Sequence, residues 1–276
     1  MRSAVITLVS GRHEHLKLQR QGLLAGVLRP DLHVIVTMND PSAREVLDTR
    51  SPRPDVIEMT RHPDRLPLAR ARNLGAGRAL AAGAELLIFL DVDCVPGPQL
   101  VRRYTDCATG GLPPSLLCGP VSYLGPPPVT GYVLASLPSS GRPHPARPVP
   151  PEGAVLASGD HTLFWSLSFA VTAALWQELG GFCEQYDGYG GEDTDFGQVA
   201  ASHDVGLTWV GGAWAYHQYH AAPDPPVQHL HDILRNAQIF HQRWGWWPMS
   251  GWLRAFQQSG LIRFDHDART WAAVNS

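Results

Sequence analysis

Apolar runs alternate with amphipathic stretches through the first hundred residues. Short apolar runs of the kind that form buried strands lie at residues 4–9, 33–38, 55–60 and 86–90. Apolar residues recur at helical spacing over 15–28 and 69–83, and a shorter helix is predicted at 41–49, where Pro41 suits the first turn. Strands that alternate with helices at this spacing predict a parallel sheet covered on both faces, and therefore an α/β fold.

After residue 96 the pattern becomes less regular. Helices are predicted at 97–109, 173–181 and 229–245, and strands at 116–124, 164–172 and 208–220. The last of these strands is expected to carry a bulge at its glycine pair. Residues 125–153 are crowded with proline and show neither strand nor helix period, which predicts a long, partly mobile loop of the kind that often covers a site.

The composition narrows the class of protein. The chain has 276 residues, of which 44% are hydrophobic and 17% charged, as in an ordinary soluble globular protein of one large domain or two small ones. The net charge of −3 does not favour a nucleic-acid binder, which would show a basic surface. The four cysteines lack CxxC spacing, no apolar run is long enough to span a membrane, and the first run is too short for a signal peptide. We therefore expect a cytoplasmic protein without an integral membrane segment.

Two acidic clusters are the candidate chemistry. Asp91 and Asp93 close the apolar run LLIFL, and residues 192–195 follow the glycine-rich stretch GYGG. Open α/β sheets bind their ligands at the carboxyl ends of the strands, and carboxylates there can hold Mn²⁺ or Mg²⁺, which can carry a diphosphate. The alternatives are solvated loops with incidental charge, a calcium-type acidic loop, or acids in the first turn of a helix.

Four blocks of sequence carry a recognisable pattern. They are ITLVSGRHEHL, ARNLGAGRALAAGAELLIFLDVDCVP, WSLSFAVTAALWQELGGFCEQYDGYGGEDTDF and a following strand that bears histidines, and together they cover residues 4–220. In this order they resemble a GT-A-fold glycosyltransferase of the family 2 type, and two of them are most similar to the β1,4-galactosyltransferase branch. The resemblance implies a GT-A domain over 1–222, divided into a nucleotide-binding half at 1–98 and an acceptor half at 99–222. A helical, tryptophan-rich extension would follow at 223–276.

The resemblance implies a donor site formed by strand ends and one helix. The first strand and its loop would hold the nucleotide, the end of the second strand would lie beside base and ribose, and the helix at 69–83 would reach the diphosphate or the uracil edge. The donor-binding residues would be Val9, Gly11, Arg12, Asn39, Asp40, Arg70, Arg72 and Asp91. We expect only one arginine of the pair at 70 and 72 to touch the donor, because positions i and i+2 point to different faces of a helix. Ser10 stands where the branch has its first donor-loop arginine, so one contact is absent or supplied from elsewhere.

The resemblance also implies a metal site. Asp91 and Asp93 would hold the divalent cation, together with a histidine at the end of the strand after the second acidic cluster. Either His220 is that ligand, with His217 in the place of a methionine of the branch, or His217 binds alone. The cation would neutralise the charge that develops on the diphosphate as the glycosidic bond breaks.

The second acidic cluster implies the catalytic and acceptor-binding residues. Asp193 would take the proton of the acceptor hydroxyl while that oxygen attacks the anomeric carbon from the face opposite the diphosphate. Glu192 would assist it and, with Asp195, position sugar hydroxyls. Gly191 would let the backbone approach the acceptor, and Tyr189, where the branch has tryptophan, would offer its ring to a sugar.

The sequence therefore predicts a metal-dependent, inverting glycosyltransferase that moves a hexose from a nucleotide-sugar, UDP-sugar being the first choice, to a hydroxyl of a carbohydrate or other small acceptor. One alternative is a nucleotidyltransferase, which would need a lysine in a glycine-rich loop after the first strand, whereas the single lysine, Lys17, lies in a predicted helix. Another is a nucleotide-sugar-binding protein without turnover. The tryptophans of the tail are interpreted first as packing and second as a platform for the acceptor.

Overall fold

The computed structural model describes residues 1–62, 65–221 and 223–274. Its first half follows the predicted alternation. The elements are β1 (Ser3–Val9), α1 (His13–Ala25), β2 (Leu32–Met38), a 3₁₀ helix (Pro41–Val46) in place of the longer helix predicted there, β3 (Pro54–Met59), α2 (Leu68–Ala81) and β4 (Leu86–Leu90). The four strands are parallel neighbours in the order β3-β2-β1-β4, which confirms the predicted parallel arrangement for this half.

The second half adds strands to this sheet and forms a second one. Its elements are β5 (Cys94–Pro96), α3 (Leu100–Thr109), β6 (Ser115–Cys118), β7 (Val121–Leu124), β8 (Gly141–Pro143), β9 (Val155–Ser158), β10 (Ser168–Thr172), α4 (Ala173–Leu179), α5 (Glu192–Ser202), β11 (Gly206–Val210) and β12 (Ala215–His217). The large sheet continues from β4 as β10-β6-β11-β9, and β5-β12-β7-β8 form the second sheet. β10 runs antiparallel to β4 and to β6, so the large sheet as a whole is mixed, and the parallel arrangement predicted from the first half is that of β1 to β4. The chain first returns to the large sheet as β6, in the direction of β4, and β10 is then inserted between these two strands in the opposite direction.

Two predicted strands are each divided between the two sheets. The strand predicted at 116–124 is β6 and β7, and the one predicted at 208–220 is β11 and β12. A Cβ atom at Gly119 would lie 1.9 Å from the carbonyl oxygen of Ala213, and one at Gly211 would lie 1.9 Å from that of Pro151. Backbone passes backbone at both crossings, so glycine is required there. The second crossing places β12 beside β5, directly after the aspartates that follow β4.

The proline-rich segment at 125–153 is partly structured. It contains a 3₁₀ helix at Leu134–Ser139 and the strand β8, which pairs with β7. Arg147 is buried there, with its guanidinium 5.3 Å from the ring centre of Trp165 and 4.8 Å from that of Trp209. These contacts anchor the end of the segment against the large sheet, and its predicted mobility stays a prediction.

The core lies on both faces of the large sheet, as the alternation along β4 requires. Leu87 and Phe89 face the cluster that includes α2, whereas Leu86, Ile88 and Leu90 face the cluster that includes α3. Phe89 stacks on Phe169 of β10, with 4.6 Å between ring centroids. Full burial of such a side chain contributes about 1.5–3 kcal/mol. The strand that carries the aspartates is therefore held firmly on both faces.

The chain after residue 223 forms α6 (Leu230–Trp244), α7 (Ser250–Gln258) and a hairpin of β13 (Ile262–Asp265) and β14 (Thr270–Ala273). α6 confirms the predicted helix, whereas the hairpin was not predicted. Trp247, Trp252 and Trp271 pack against a small core formed by Ile233, Leu253 and Phe256 among others. The predicted boundary at residue 222 and the end of the extension at 275–276 lie outside the described residues. None of the helices described is long and apolar enough to cross a membrane.

Candidate active site

The two acidic clusters meet at one edge of the large sheet. Asp91 and Asp93 follow β4, and Glu192 begins α5. Arg72 of α2 donates from one guanidinium nitrogen to Glu192 Oε1 at 3.0 Å and from the other to Asp91 Oδ1 at 3.4 Å. One arginine therefore joins acidic residues that lie far apart in the sequence.

The two candidate arginines, Arg70 and Arg72, lie on different faces of α2. Arg72 is only 3% exposed, and its guanidinium lies 5.1 Å from the ring centre of Phe182. Burial alone would lower the pKa of Arg72, but the charges of Asp91 and Glu192 raise it, so the guanidinium stays charged. Arg70 is exposed and lines a separate depression on the protein surface. Only Arg72 lies at the acidic clusters, as the different faces of the helix require.

Two glycines set the start of α5. Gly190 and Gly191 have φ angles of 91° and 93°, a left-handed conformation that favours glycine. A Cβ atom at Gly191 would lie 3.2 Å from the ring of Tyr186. The turn places Glu192 and Asp193 in the first turn of the helix, where the helix dipole favours negative charge. The arrangement anticipated as an alternative, acids in a first helical turn, is therefore part of this site.

Two carboxyl groups of the site, those of Asp193 and Asp91, have raised pKa values. Burial, followed by the charge of Glu192, raises the pKa of Asp193 to about 7. Burial also raises the pKa of Asp91 to about 6, against the opposing charge of Arg72. Asp193 accepts a hydrogen bond of 2.7 Å from the backbone N–H of Thr194, which orients its carboxyl group. A carboxyl that titrates near neutral pH is suited to proton transfer.

Asp195 lies away from this group. Its carboxylate is fully buried and accepts hydrogen bonds from Arg243 at 2.6 Å, from the indole of Trp244 at 2.7 Å and from the hydroxyl of Tyr186 at 3.1 Å. The first two partners belong to α6. The resemblance placed Asp195 at the acceptor, but Asp195 follows Asp193 by two residues and therefore lies on a different face of α5, where it contacts α6 and its carboxylate is held by protein donors.

Asp93 and two histidines form a candidate metal centre. β12 pairs antiparallel with β5 and sets His217 opposite Cys94, next to Asp93. The Nε2 atoms of His217 and His220 lie 3.5 and 3.6 Å from Asp93 Oδ2, and one ligand atom from each of the three residues falls within 4.8 Å of the others. Asp93 Oδ1 is buried and has no hydrogen-bond partner among the residues described. A carboxylate with an unused oxygen and two imidazoles fit a divalent cation such as Mn²⁺.

Both histidines therefore converge on Asp93, although the sequence left them as alternatives. Asp91, in contrast, is paired with Arg72 and is not one of the three converging groups. Arg12 donates to Asp93 Oδ2 at 2.7 Å, so this guanidinium partly neutralises the candidate metal ligand. Burial, followed by the charge of Arg12, lowers the pKa of His220, which favours the neutral imidazole that binds metals.

The predicted donor loop is braced from β2. Asp40 accepts from the backbone N–H of Gly11 at 2.7 Å and pairs with the ring of His13 at 2.9 Å. Burial alone would raise the pKa of Asp40, but these bonds lower it. Arg12 stands between Gly11 and His13 with a φ of 55°, which directs its side chain to Asp93, and Val9 is buried in the core. The loop is therefore held in a fixed shape by Asp40.

Asn39, which also follows β2, has a similar role towards the segment after β3. Its side chain donates to the carbonyl of Arg61 at 2.9 Å and accepts from the N–H of the same residue at 3.0 Å. Arg61 in turn donates to Ser10 Oγ at 3.4 Å. An arginine thus lies beside Ser10, where the resemblance left a gap. The sequence reading missed Arg61, and the parallel pairing of β2 with β3 is the signal that could have found it.

The acidic clusters border a cavity of about 860 Å³. Its lining includes Arg72, Asp91, Glu192 and Asp193, and also Tyr189, which stacks on His229 with 4.5 Å between ring centroids. Four further lining residues were not predicted for a site from the sequence: Tyr123, His144, Trp165 and Asp224. Three tryptophans of the tail, Trp246, Trp247 and Trp252, also line the cavity.

Comparison with solved structures identifies the architecture. The chain superposes on Staphylococcus aureus TarS 1–349 with a TM-score of 0.55 and 12% identity, over 92% of this chain and 74% of that one. It superposes on GalNAc-T7, solved with UDP, GalNAc and Mn²⁺, with a TM-score of 0.60 and 13% identity, over 96% of this chain and 60% of that one. The chain has the GT-A fold. The likeness confirms the predicted fold class.

Comparison of sequences finds glycosyltransferases among the proteins that resemble this chain. No family model matches the chain. Two validoxylamine A glucosyltransferases are 28% identical to it over 183 residues, or 55% of this chain. They come from Streptomyces hygroscopicus subsp. jinggangensis (strain 5008) and subsp. limoneus, and the match covers 39% and 37% of their respective lengths. The chain therefore spans less than half the length of the curated relatives it matches.

Proposed function

We propose that this chain is a metal-dependent, inverting glycosyltransferase that moves a hexose from a UDP-sugar to a hydroxyl of a small acceptor. The observation that carries the proposal is a candidate metal centre, formed by Asp93, His217 and His220, beside the cavity that Asp193 lines: the ring of Tyr123, which also lines the cavity, lies 5.0 Å from that of His217. The metal centre suits a metal-bound diphosphate, and the carboxyl of Asp193 suits the role of proton acceptor.

Asp93 would hold the cation with His217 and His220. When bound, the cation would supply positive charge to the departing diphosphate. Arg12, which donates a hydrogen bond to Asp93, would lie beside the cation and would also pair with the diphosphate, since a guanidinium binds phosphate through two parallel donors. Arg61, beside Ser10, is a second candidate for the donor, whereas we assign no donor contact to Arg70.

Asp193 would be the general base. The acceptor hydroxyl gives its proton to the Asp193 carboxylate, its oxygen bonds to the anomeric carbon, and the bond from that carbon to the diphosphate breaks, which inverts the configuration. Arg72 holds Glu192 and Asp91 in place, and Glu192 can accept from a sugar hydroxyl through its second oxygen. Asp195 would act as a positioning residue that fixes α5 against α6.

The names of the relatives suggest what to test first. The curated relatives transfer glucose according to their name, so UDP-glucose is the first donor to try, and the GalNAc-T7 structure holds UDP and Mn²⁺. The likeness to β1,4-galactosyltransferases in the motifs stays a prediction. We also propose a cytoplasmic location, because the four cysteines are free and three of them are buried.

A thermal-shift panel of UDP, GDP, CDP and dTDP, each with and without Mn²⁺, tests the donor site. UDP with Mn²⁺ should raise the melting temperature, because a ligand at about 100 times its Kd adds about 2.7 kcal/mol to the free energy of unfolding. Asp93→Asn should abolish the shift. Asp106→Asn, the same change on the exposed face of α3, should keep it.

Turnover of UDP-glucose then separates the alternatives. A glycosyltransferase releases UDP and a glycoside, a nucleotidyltransferase exchanges pyrophosphate, and a binding protein releases neither. If no nucleoside diphosphate stabilised the protein in the presence of Mn²⁺, the proposed function would be wrong.

A further inference from the structure

The loop that leads into α5 is bound along its backbone by the helix α6. From these contacts we infer that α6 positions the general base Asp193 by holding the loop before it, residues 187–191, which we call the glycine loop. The residues of α6 that do so are Asp232, Arg235 and Asn236. The inference rests on the proposed function, because that function assigns Asp193 its role.

Asp232 and Arg235 bind the first half of the glycine loop. Asp232 Oδ2 accepts from the backbone N–H of Tyr189 at 3.3 Å, and Oδ1 accepts from the guanidinium of Arg235 at 2.9 Å. The same nitrogen of Arg235 donates to the carbonyl of Asp187. The pair therefore offers one acceptor and one donor to the loop backbone, and each side chain holds the other in place.

Asn236 binds the second half of the glycine loop. Its Nδ2 atom donates to the carbonyl of Gly190 at 2.8 Å and to that of Tyr189 at 3.3 Å. Asn236 is fully buried, so a loop carbonyl that lost this donor would be left unpaired away from water, which is costly. Asp232 and Arg235 lie four and three residues before Asn236, a spacing that puts all three on one face of α6.

The glycine loop also packs closely on this part of the chain. A Cβ atom at Gly190 would lie 2.8 Å from Sδ of Met249, and one at Gly191 would lie 3.6 Å from Cβ of Asn236. A loop without side chains at these two positions can approach α6 closely. This approach brings the loop backbone within reach of the short side chains of the helix.

The contacts of α6 continue beyond Asp193. Asp195, two residues later, accepts hydrogen bonds from Arg243 and Trp244 in the last turn of α6. The helix therefore holds the chain on both sides of the proposed base. The base must meet the acceptor hydroxyl in a defined geometry, and a misplacement of about 1 Å can cost about 10²-fold in rate. A helix outside the large sheet would thus set the position of the catalytic carboxyl.

Hydrogen exchange tests the hold on the loop without any substrate. The variants are Asp232→Ala and Asp232→Asn, with Gln242→Ala on the exposed surface of α6 as the control. In amide exchange followed by NMR, the N–H of Tyr189 should exchange at least about tenfold faster in Asp232→Ala, because it loses its acceptor. Asp232→Asn keeps an acceptor oxygen and should restore most of the protection, and Gln242→Ala should not change it.

Kinetics test whether the hold on the loop positions the base. In Asp232→Ala and Asn236→Ala, kcat for UDP release from UDP-glucose and an acceptor should fall by about 10–100-fold. The affinity for UDP with Mn²⁺ should stay within about twofold of that of the unchanged protein. Asp232→Asn should recover most of kcat. A purely structural role would lower the free energy of unfolding in urea titrations and leave kcat of the folded protein unchanged, and the partly buried Asp232 carries the test if Asn236→Ala does not fold.

Two results would overturn the inference alone. One is a wild-type kcat in Asp232→Ala although the N–H of Tyr189 exchanges faster, and the other is an exchange rate at Tyr189 that does not differ between Asp232→Ala and Gln242→Ala. Absence of UDP release by the unchanged protein, with Tyr189 protected, would instead overturn the proposed function and the role of Asp193 with it.

Discussion

The change Asp193→Asn tests the proposed chemistry most directly. Asparagine keeps the size of the side chain and can still accept the hydrogen bond from the N–H of Thr194, but it cannot take up the acceptor proton. General-base catalysis contributes about 10²–10⁴-fold, so kcat should fall by that factor, or by roughly 3–5 kcal/mol in the activation free energy. The affinity for UDP should survive, because Asp193 is not among the residues that converge on the candidate metal.

The raised pKa of Asp193 adds a pH dependence. Burial, followed by the charge of Glu192, raises this pKa to about 7, so the carboxyl is protonated below that pH and cannot act as a base. The rate should therefore rise with pH and level off above about 7. Below that value it should fall about tenfold per pH unit, to roughly one tenth at pH 6 and one hundredth at pH 5. Asp193→Asn should lose this dependence.

The assay is the initial rate of UDP release from saturating UDP-glucose with Mn²⁺ and acceptor between pH 5 and 9. UDP affinity is measured separately by calorimetry. Asp106→Asn is the control for loss of one negative charge on the surface, and Glu192→Gln should cost acceptor affinity at least as much as rate. Near-full turnover of Asp193→Asn would refute the reasoning, as would a wild-type rate that stays level from pH 7 down to pH 5.

Three further predictions concern the support of the site. Arg72→Met should lower the free energy of unfolding by about 3–5 kcal/mol, because it leaves the buried Glu192 and the partly buried Asp91 without their cation. Arg70→Met on the exposed face should change it by less than about 0.5 kcal/mol, and equal losses in urea titrations would contradict the assignment. Asp93→Asn and His217→Ala should each weaken Mn²⁺ binding, measured by electron paramagnetic resonance, by at least about tenfold, whereas Arg12→Met should strengthen it in the absence of nucleotide. Unchanged binding in Asp93→Asn would rule out the metal centre. Gly119→Ala should destabilise the fold, because its Cβ would meet the carbonyl of Ala213, while Gly77→Ala, with open space on α2, should be neutral or stabilising by up to about 1 kcal/mol; similar urea midpoints would argue against the crossing constraint.

The sequence alone determined the parts that depend on local pattern. The run LLIFL is buried on both faces of the sheet, so a continuous apolar strand was readable without a structure, and Asp91 and Asp93 had to follow at its end. The same holds for α1, α2 and α6, whose periodicity is local. The helix α5, by contrast, was anticipated only through the alternative of acids in a first helical turn.

Only the tertiary structure decided which of these residues meet. Periodicity shows that a side chain is buried but not which partner it faces, so it could not choose between Arg70 and Arg72 or separate Asp193 from Asp195. The same limit hid the division of two predicted strands between two sheets, because the crossings at Gly119 and Gly211 are set by backbone from distant segments.

The aromatic wall of the cavity shows this limit most clearly. Trp247 and Trp252 pack on the core of the tail, as the sequence suggested, and also line the cavity beside Asp193. A tryptophan has two faces and a long edge, so one side can be buried in a core while another borders a ligand site. Which surface it offers depends on how α6 and α7 lie against the GT-A sheet, and that arrangement is a property of the folded chain.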